Sequence, residues 1–109
     1  MSSRKKRRES FVDWDSFDLE SHMIRAEKEK ARALRKTRWW QQQTAAGVCY
    51  YCEKEVGFSG LTMDHILPLS RGGRSSKENI VACCKECNTL KNSMMPLEWT
   101  EYCDKIKNK

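Results

Sequence analysis

Two Cys-x-x-Cys pairs, Cys49-Tyr-Tyr-Cys52 and Cys84-Lys-Glu-Cys87, with 31 residues between them, constrain this 109-residue chain more than any other feature. Two sulfurs three residues apart reach one ion from a turn or a helix start, and four thiolates at roughly 2.3 Å close a tetrahedral shell around Zn²⁺. The expected site is structural, one Zn²⁺ per chain, with no position open for water. Disulfides are the weaker reading: Met1 to Arg8 is basic but no apolar stretch follows it, so no export signal is expected, and reducing compartments keep thiols free. The expected location is therefore cytoplasmic. No apolar run approaches the roughly 18 residues that span a bilayer. Cys83 neighbours Cys84 but would form C-x3-C with Cys87, so Cys84 is taken as the ligand, and Cys103 as a small core residue.

Bound metal matters because the rest of the core is thin. A chain of this length buries only about two-thirds of its unfolded surface. Only 39% of the residues are hydrophobic against 33% charged, and ligation energy contributes to folding directly.

The net charge of +6 is unevenly spread. Residues 1–8 carry +5, residues 9–20 carry −5, residues 25–38 carry +5, and the cysteine-bearing part from Gly47 onward only +1. A polyanionic partner would be held partly by the N-terminal half, through phosphate contacts that salt weakens. Residues 1–15 read as a disordered arm, basic and then acidic. Residues 16–46 read as an N-terminal basic region whose helix runs from about Asp18 to Gln43, with no Gly or Pro inside it and Gly47 ending it. Its apolar residues (Leu19, Met23, Ala26, Ala33, Leu34, Trp40) form an incomplete stripe, and Trp39 and Trp40 are expected to pack it on the rest of the chain. His22 stands in no motif and is taken as a packed or surface histidine.

Residues 47–109 read as the remaining domain. Leu61 to Ile66 and Ile80 to Cys83 are predicted strands, joined by a long loop containing Gly72, Gly73, Ser75 and Ser76. A helix is predicted from about Cys84 to Met94, and Pro96 opens a last one at its first-turn position. There Trp99, Tyr102, Cys103 and Ile106 share one face, assigned to the core.

Chemistry concentrates between the cysteine pairs. Asp64 offers a hard oxygen that suits Mg²⁺ or Mn²⁺. His65 titrates near neutrality and can take a proton from water. The two are adjacent, so a regular strand would send them to opposite faces, and a twist or bulge is needed to bring both to one cleft. Asn88 follows the last cysteine ligand on a helix that the zinc fixes, and offers a second oxygen. Lys91, three residues on, shares nearly the same helix face and is expected to meet a phosphate. Arg71 and Arg74, flanking Gly72-Gly73, are candidate phosphate clamps.

Asp64-His65, Asn79 and Asn88, set within two Cys-x-x-Cys pairs, resemble the His-Asn-His (HNH) endonucleases of ββα-metal (His-Me finger) fold, over about Gly47 to Met94. The resemblance implies a small zinc-stabilised α+β core with flanking N- and C-terminal helices, and a metal-dependent hydrolase of DNA phosphodiester bonds. On it, His65 would be the general base, Asp64 and Asn88 the ligands of one catalytic Mg²⁺ or Mn²⁺, and Asn79 the residue that hydrogen-bonds across the loop. The final position of the pattern is Asn rather than His, which disfavours a soft metal. One small site cuts one strand per encounter, so nicking by a monomer or double-strand cleavage by a homodimer is expected. The alternative is a zinc-knuckle module that binds nucleic acid without cutting it.

Overall fold

In the computed structural model, described here over residues 12–107 with side chains from Leu19 onward, helix α1 spans Val12–Leu34 and α2 spans Arg38–Thr44. The single helix expected to about Gln43 is thus two. Thr37 breaks it: its backbone is extended (φ −94°, ψ 160°), and its hydroxyl donates to the Leu34 carbonyl at 2.6 Å and accepts from the Trp40 amide at 3.3 Å. A threonine that serves the last turn of one helix and the first amides of the next ends a run of helix formers without Gly or Pro. Helix α1 begins inside the stretch expected to be disordered, while residues 1–11, with the basic run Arg4–Arg8, lie outside the described residues. The apolar stripe is not what docks α1: Leu19 and Met23 are 63% and 56% exposed, and the buried positions are Glu27 and Ala31. Trp39 and Trp40 are each half-buried, with the Lys77 ammonium 5.7 Å above the Trp39 ring.

After α2 the chain turns sharply at Gly47, whose carbonyl accepts from the amides of Val56 and Gly57 at 2.8 and 3.1 Å. With φ +70° and a would-be Cβ only 2.9 Å from the Gly57 Cα, only glycine fits here. The first cysteine pair forms the knuckle this turn encloses, and the Tyr50 amide ties it to the Ala82 carbonyl at 2.9 Å.

Strands β1 (Leu61–His65) and β2 (Ile80–Cys84) pair antiparallel, from Leu61 opposite Cys84 to His65 opposite Ile80. All five residues of β2 are buried. Helix α3 (Lys85–Lys91) follows directly and is shorter than predicted. Helix α4 (Pro96–Lys107) opens on its proline as expected. Trp99 is buried and Tyr102 and Cys103 pack beside it, but Ile106, assigned to the same core face, is 50% exposed near the end of the helix. The strand–strand–helix unit with helices on both sides is the α+β, ββα architecture expected. Its core cluster is Cys49, Cys83, Cys84, Cys87 and Trp99, with Tyr51, Leu61 and Met94 among the side chains packed against it. Four of those five buried residues are cysteines, so a large part of this core is sulfur.

Candidate active site and metal centre

The four predicted cysteines converge. The Sγ atoms of Cys49, Cys52, Cys84 and Cys87 all lie within 4.8 Å of one another, and those of Cys52 and Cys84 are 3.8 Å apart. Thiolates at about 2.3 Å from a tetrahedral centre stand roughly 3.8 Å from each other, so the set is positioned to hold a metal and fits structural Zn²⁺. Main-chain amides support the sulfurs: Cys49 Sγ accepts from Tyr51 and Cys52, and Cys84 Sγ, capping α3, accepts from Cys87. Burial raises the Cys49 thiol, yet the main-chain N–H groups of Cys52, Cys84 and Tyr51 outweigh it and bring the thiol down to about 7. Cys83 points elsewhere: it has no exposed surface, its Sγ meets Thr62 Oγ1 at 3.9 Å, and burial pushes its thiol up to about 12.

Asp64, His65 and Asn88 line one shallow cleft of about 280 Å³, together with Met63, Pro68, Leu69, Ser70, Asn92 and Ser93. The adjacent Asp64 and His65 therefore do reach a common space, at the end of β1. Asp64 is 6% exposed, and its Oδ2 accepts from the Tyr51 hydroxyl at 2.7 Å and from Lys91 Nζ at 3.2 Å. Both contacts end on Oδ2, and no hydrogen bond to Oδ1 forms among the described residues. Asn88 donates through Nδ2 to Thr62 Oγ1 at 2.8 Å and to the Met63 carbonyl at 3.5 Å. With its NH₂ so committed, its Oδ1 is left as an acceptor that no described residue uses. The cleft thus offers two hard oxygen donors of the kind that suits Mg²⁺ or Mn²⁺.

His65 is half-buried, and its Nε2 stands 2.9 Å from Ser75 Oγ. Burial is the main reason its pKa falls below the ordinary 6.5. Asn79 closes the loop at its neck: Oδ1 accepts from the Leu67 amide at 2.8 Å, and Nδ2 donates to the carbonyls of Leu67 and Arg74 at 3.0 and 2.9 Å. Below it Gly73 has no room for a side chain, since a Cβ would fall 1.7 Å from the Leu67 carbonyl oxygen.

The three residues expected to contact nucleic acid are not alike. Lys91 is a correction: it has no exposed surface, and its ammonium binds Asp64 and the His65 carbonyl (3.1 Å), so it cannot meet a phosphate from this position. Helix α3 turns that side chain inward beneath β1. Arg71 reaches the Ser93 carbonyl at 3.3 Å and Glu98 at 3.8 Å, and Arg74 reaches Glu27 at 3.3 Å, each with much of its side chain still in solvent. Four residues that surround the site carry no sequence signal: Tyr51, Thr62, Ser75 and Glu27. Tyr51 was hidden as a spacer in a cysteine pair, although its hydroxyl is buried against Asp64 and burial, then Asp64, drives its pKa far up.

Residues 49–103, half of the chain, match the family described as HNH endonuclease. The chain belongs to the HNH endonuclease family. Relatives include the CRISPR-associated endonuclease Cas9 of Corynebacterium diphtheriae, 37% identical over 54 residues, and that of Actinomyces naeslundii, 32% identical over 56. The type IV methyl-directed restriction enzyme EcoKMcrA of Escherichia coli is 34% identical over 55. These matches cover 49%, 50% and 45% of this HNH chain, but only 5%, 5% and 20% of the respective relatives. The chain spans only a small part of the length of these relatives. No helix among the described residues is long and apolar enough to cross a membrane.

Proposed function

We propose that this chain is a metal-dependent DNA endonuclease in which His65 takes the proton from the water that attacks phosphorus. One observation carries the reading: a neutral-leaning imidazole shares a cleft with two oxygen donors, Asp64 Oδ1 and Asn88 Oδ1, that no group among the described residues occupies. Asp64 and Asn88 would hold one Mg²⁺ or Mn²⁺, which when bound stabilises negative charge at the scissile phosphate. The chain's own groups do the rest. Tyr51 and Lys91 fix the Asp64 carboxylate, Thr62 fixes the Asn88 amide, and Asn79 holds the loop that carries the walls of the cleft. Zinc on the four cysteines would fix the start of α3 and with it Asn88, and so acts as a scaffold with no part in the chemistry.

The exposed basic residues of α1, α2 and the turn between them (Arg25, Lys28, Arg32, Arg35, Lys36, Arg38) and the outward parts of Arg71 and Arg74 would supply phosphate contacts. The basic N-terminal region and the residue 47–109 unit would thus divide the work, one holding DNA and the other cutting it. A single site per chain supports nicking by a monomer, or double-strand cleavage by a homodimer. A supercoiled plasmid with Mg²⁺ or Mn²⁺, with EDTA as blank, tests this. Nicked or linear product that disappears in His65→Ala, with DNA affinity nearly unchanged, is the expected result. Full cleavage by His65→Ala would remove His65 from the mechanism. A zinc-loaded protein that shifts DNA but never cuts it would favour a binding module.

A further inference from the structure

Glu27 lies on α1, outside the residues shared with the family, and its carboxylate is buried at 8% exposure. It grips Ser75 twice. Glu27 Oε1 accepts from the Ser75 amide at 2.6 Å, and the Glu27 main-chain carbonyl accepts from the Ser75 hydroxyl at 2.5 Å. Lys30 and Arg74 complete the surroundings of the carboxylate, at 3.2 and 3.3 Å from Oε2.

The second contact decides the proton on His65. A carbonyl oxygen can only accept, and two oxygens 2.5 Å apart need a hydrogen between them. The single hydroxyl hydrogen of Ser75 is therefore spent on Glu27. Toward His65, Ser75 Oγ can then only accept, so Nε2 carries the ring proton and Nδ1 keeps its lone pair. The carboxylate fixes the serine backbone and the carbonyl fixes its hydroxyl, leaving the imidazole one orientation and one tautomer.

We propose that Glu27, acting through Ser75, is a positioning residue for His65, so that docking of the N-terminal helix sets the tautomer and aim of the imidazole. The catalytic consequence rests on His65 being the general base, whereas the tautomer does not. A positioning defect of this kind costs on the order of 10²-fold in rate.

The test joins ¹⁵N NMR of the zinc-loaded full chain, at a pH where the imidazole is neutral, with plasmid kinetics. The wild type should show a protonated Nε2 and a bare Nδ1. Ser75→Ala and Glu27→Ala should move both nitrogens toward averaged shifts and lower kcat about 10²-fold with little change in KM. Glu27→Gln, which keeps an oxygen for the Ser75 amide, should recover most of both. Zinc content and the signals of α4 identify any variant that has unfolded. If Glu27→Ala fails to fold, Ser75→Ala and Glu27→Gln carry the test. A proton on Nδ1 in the wild type, or a tautomer unmoved in a folded Ser75→Ala, overturns the proposal. The expected tautomer and its loss in the variants, in a protein that never cuts DNA, would support the positioning role while the nuclease reading fails.

Discussion

A lysine with no exposed surface must be neutralised, and Lys91 is neutralised by the carboxylate proposed to hold the catalytic ion. Removing one member of a buried pair leaves the other uncompensated, at about 3–5 kcal/mol. Lys91→Met should accordingly lower the unfolding free energy of the zinc-loaded protein, read from urea titration, by that order, far more than a surface lysine would, and an unchanged urea midpoint would deny the pairing. The neighbouring cysteines make a second contrast. Cys83→Ala should keep one zinc per chain, while Cys84→Ala should lose it, which metal analysis of the purified variants decides. Spacing alone favoured Cys84 here because a C-x-x-C turn lets the first sulfur cap the helix that carries the second. No such rule foretold Lys91: its helix position was legible, but its burial depends on how α3 lies beneath β1. Tyr51 and Ser75 were illegible for a related reason, since each acts through a partner at least ten residues away in sequence.

At the level of elements, both strands, the two C-terminal helices and the proline start of α4 could be read from period and punctuation. The break at Thr37 could not, because it interrupts strong helix formers with neither Gly nor Pro and without an acidic residue at the third position after the cap. Nor could the docking of α1, which hangs on a buried carboxylate while the apolar stripe stays wet. That attachment is acid-sensitive. The hydrogen bond from the Ser75 amide is the main cause holding the Glu27 carboxyl below its ordinary 4.5; burial opposes it, and Lys30 and Arg74 assist. A carboxyl depressed by folding stabilises above its unfolded pKa and loses that contribution as pH falls through the folded value. The exchange protection of the Ser75 amide should therefore hold at neutral pH and be lost only as acid takes the pH below the ordinary glutamate range, and Glu27→Gln should flatten that dependence. A wild type whose acid dependence matches that of Glu27→Gln would contradict it.

For the molecule as a whole, the cysteine spacing foretold the dominant fact, that four sulfurs positioned to hold a metal converge at the core, three of them buried in it. Stripping the zinc with a chelator should abolish the near-ultraviolet dichroism of the Tyr51, Trp99 and Tyr102 stack, whose rings lie 5.4 and 5.8 Å apart, and with it the hairpin. A chelated protein that kept this signal would have a core independent of metal. His65 lies on a strand whose partner ends at one of the four clustered cysteines, so the two sites are not independent parts. This bears on how such a segment travels between proteins. From the first knuckle to α3, its thiolates, the Tyr51–Asp64–Lys91 chain and the Asn79 neck are all internal, so a large host can take up the unit without supplying any of them. The Glu27 clamp does not travel. A host that acquires this segment, Ser75 included, inherits an unfinished histidine, and has to present a carbonyl or carboxylate of its own before the graft can work.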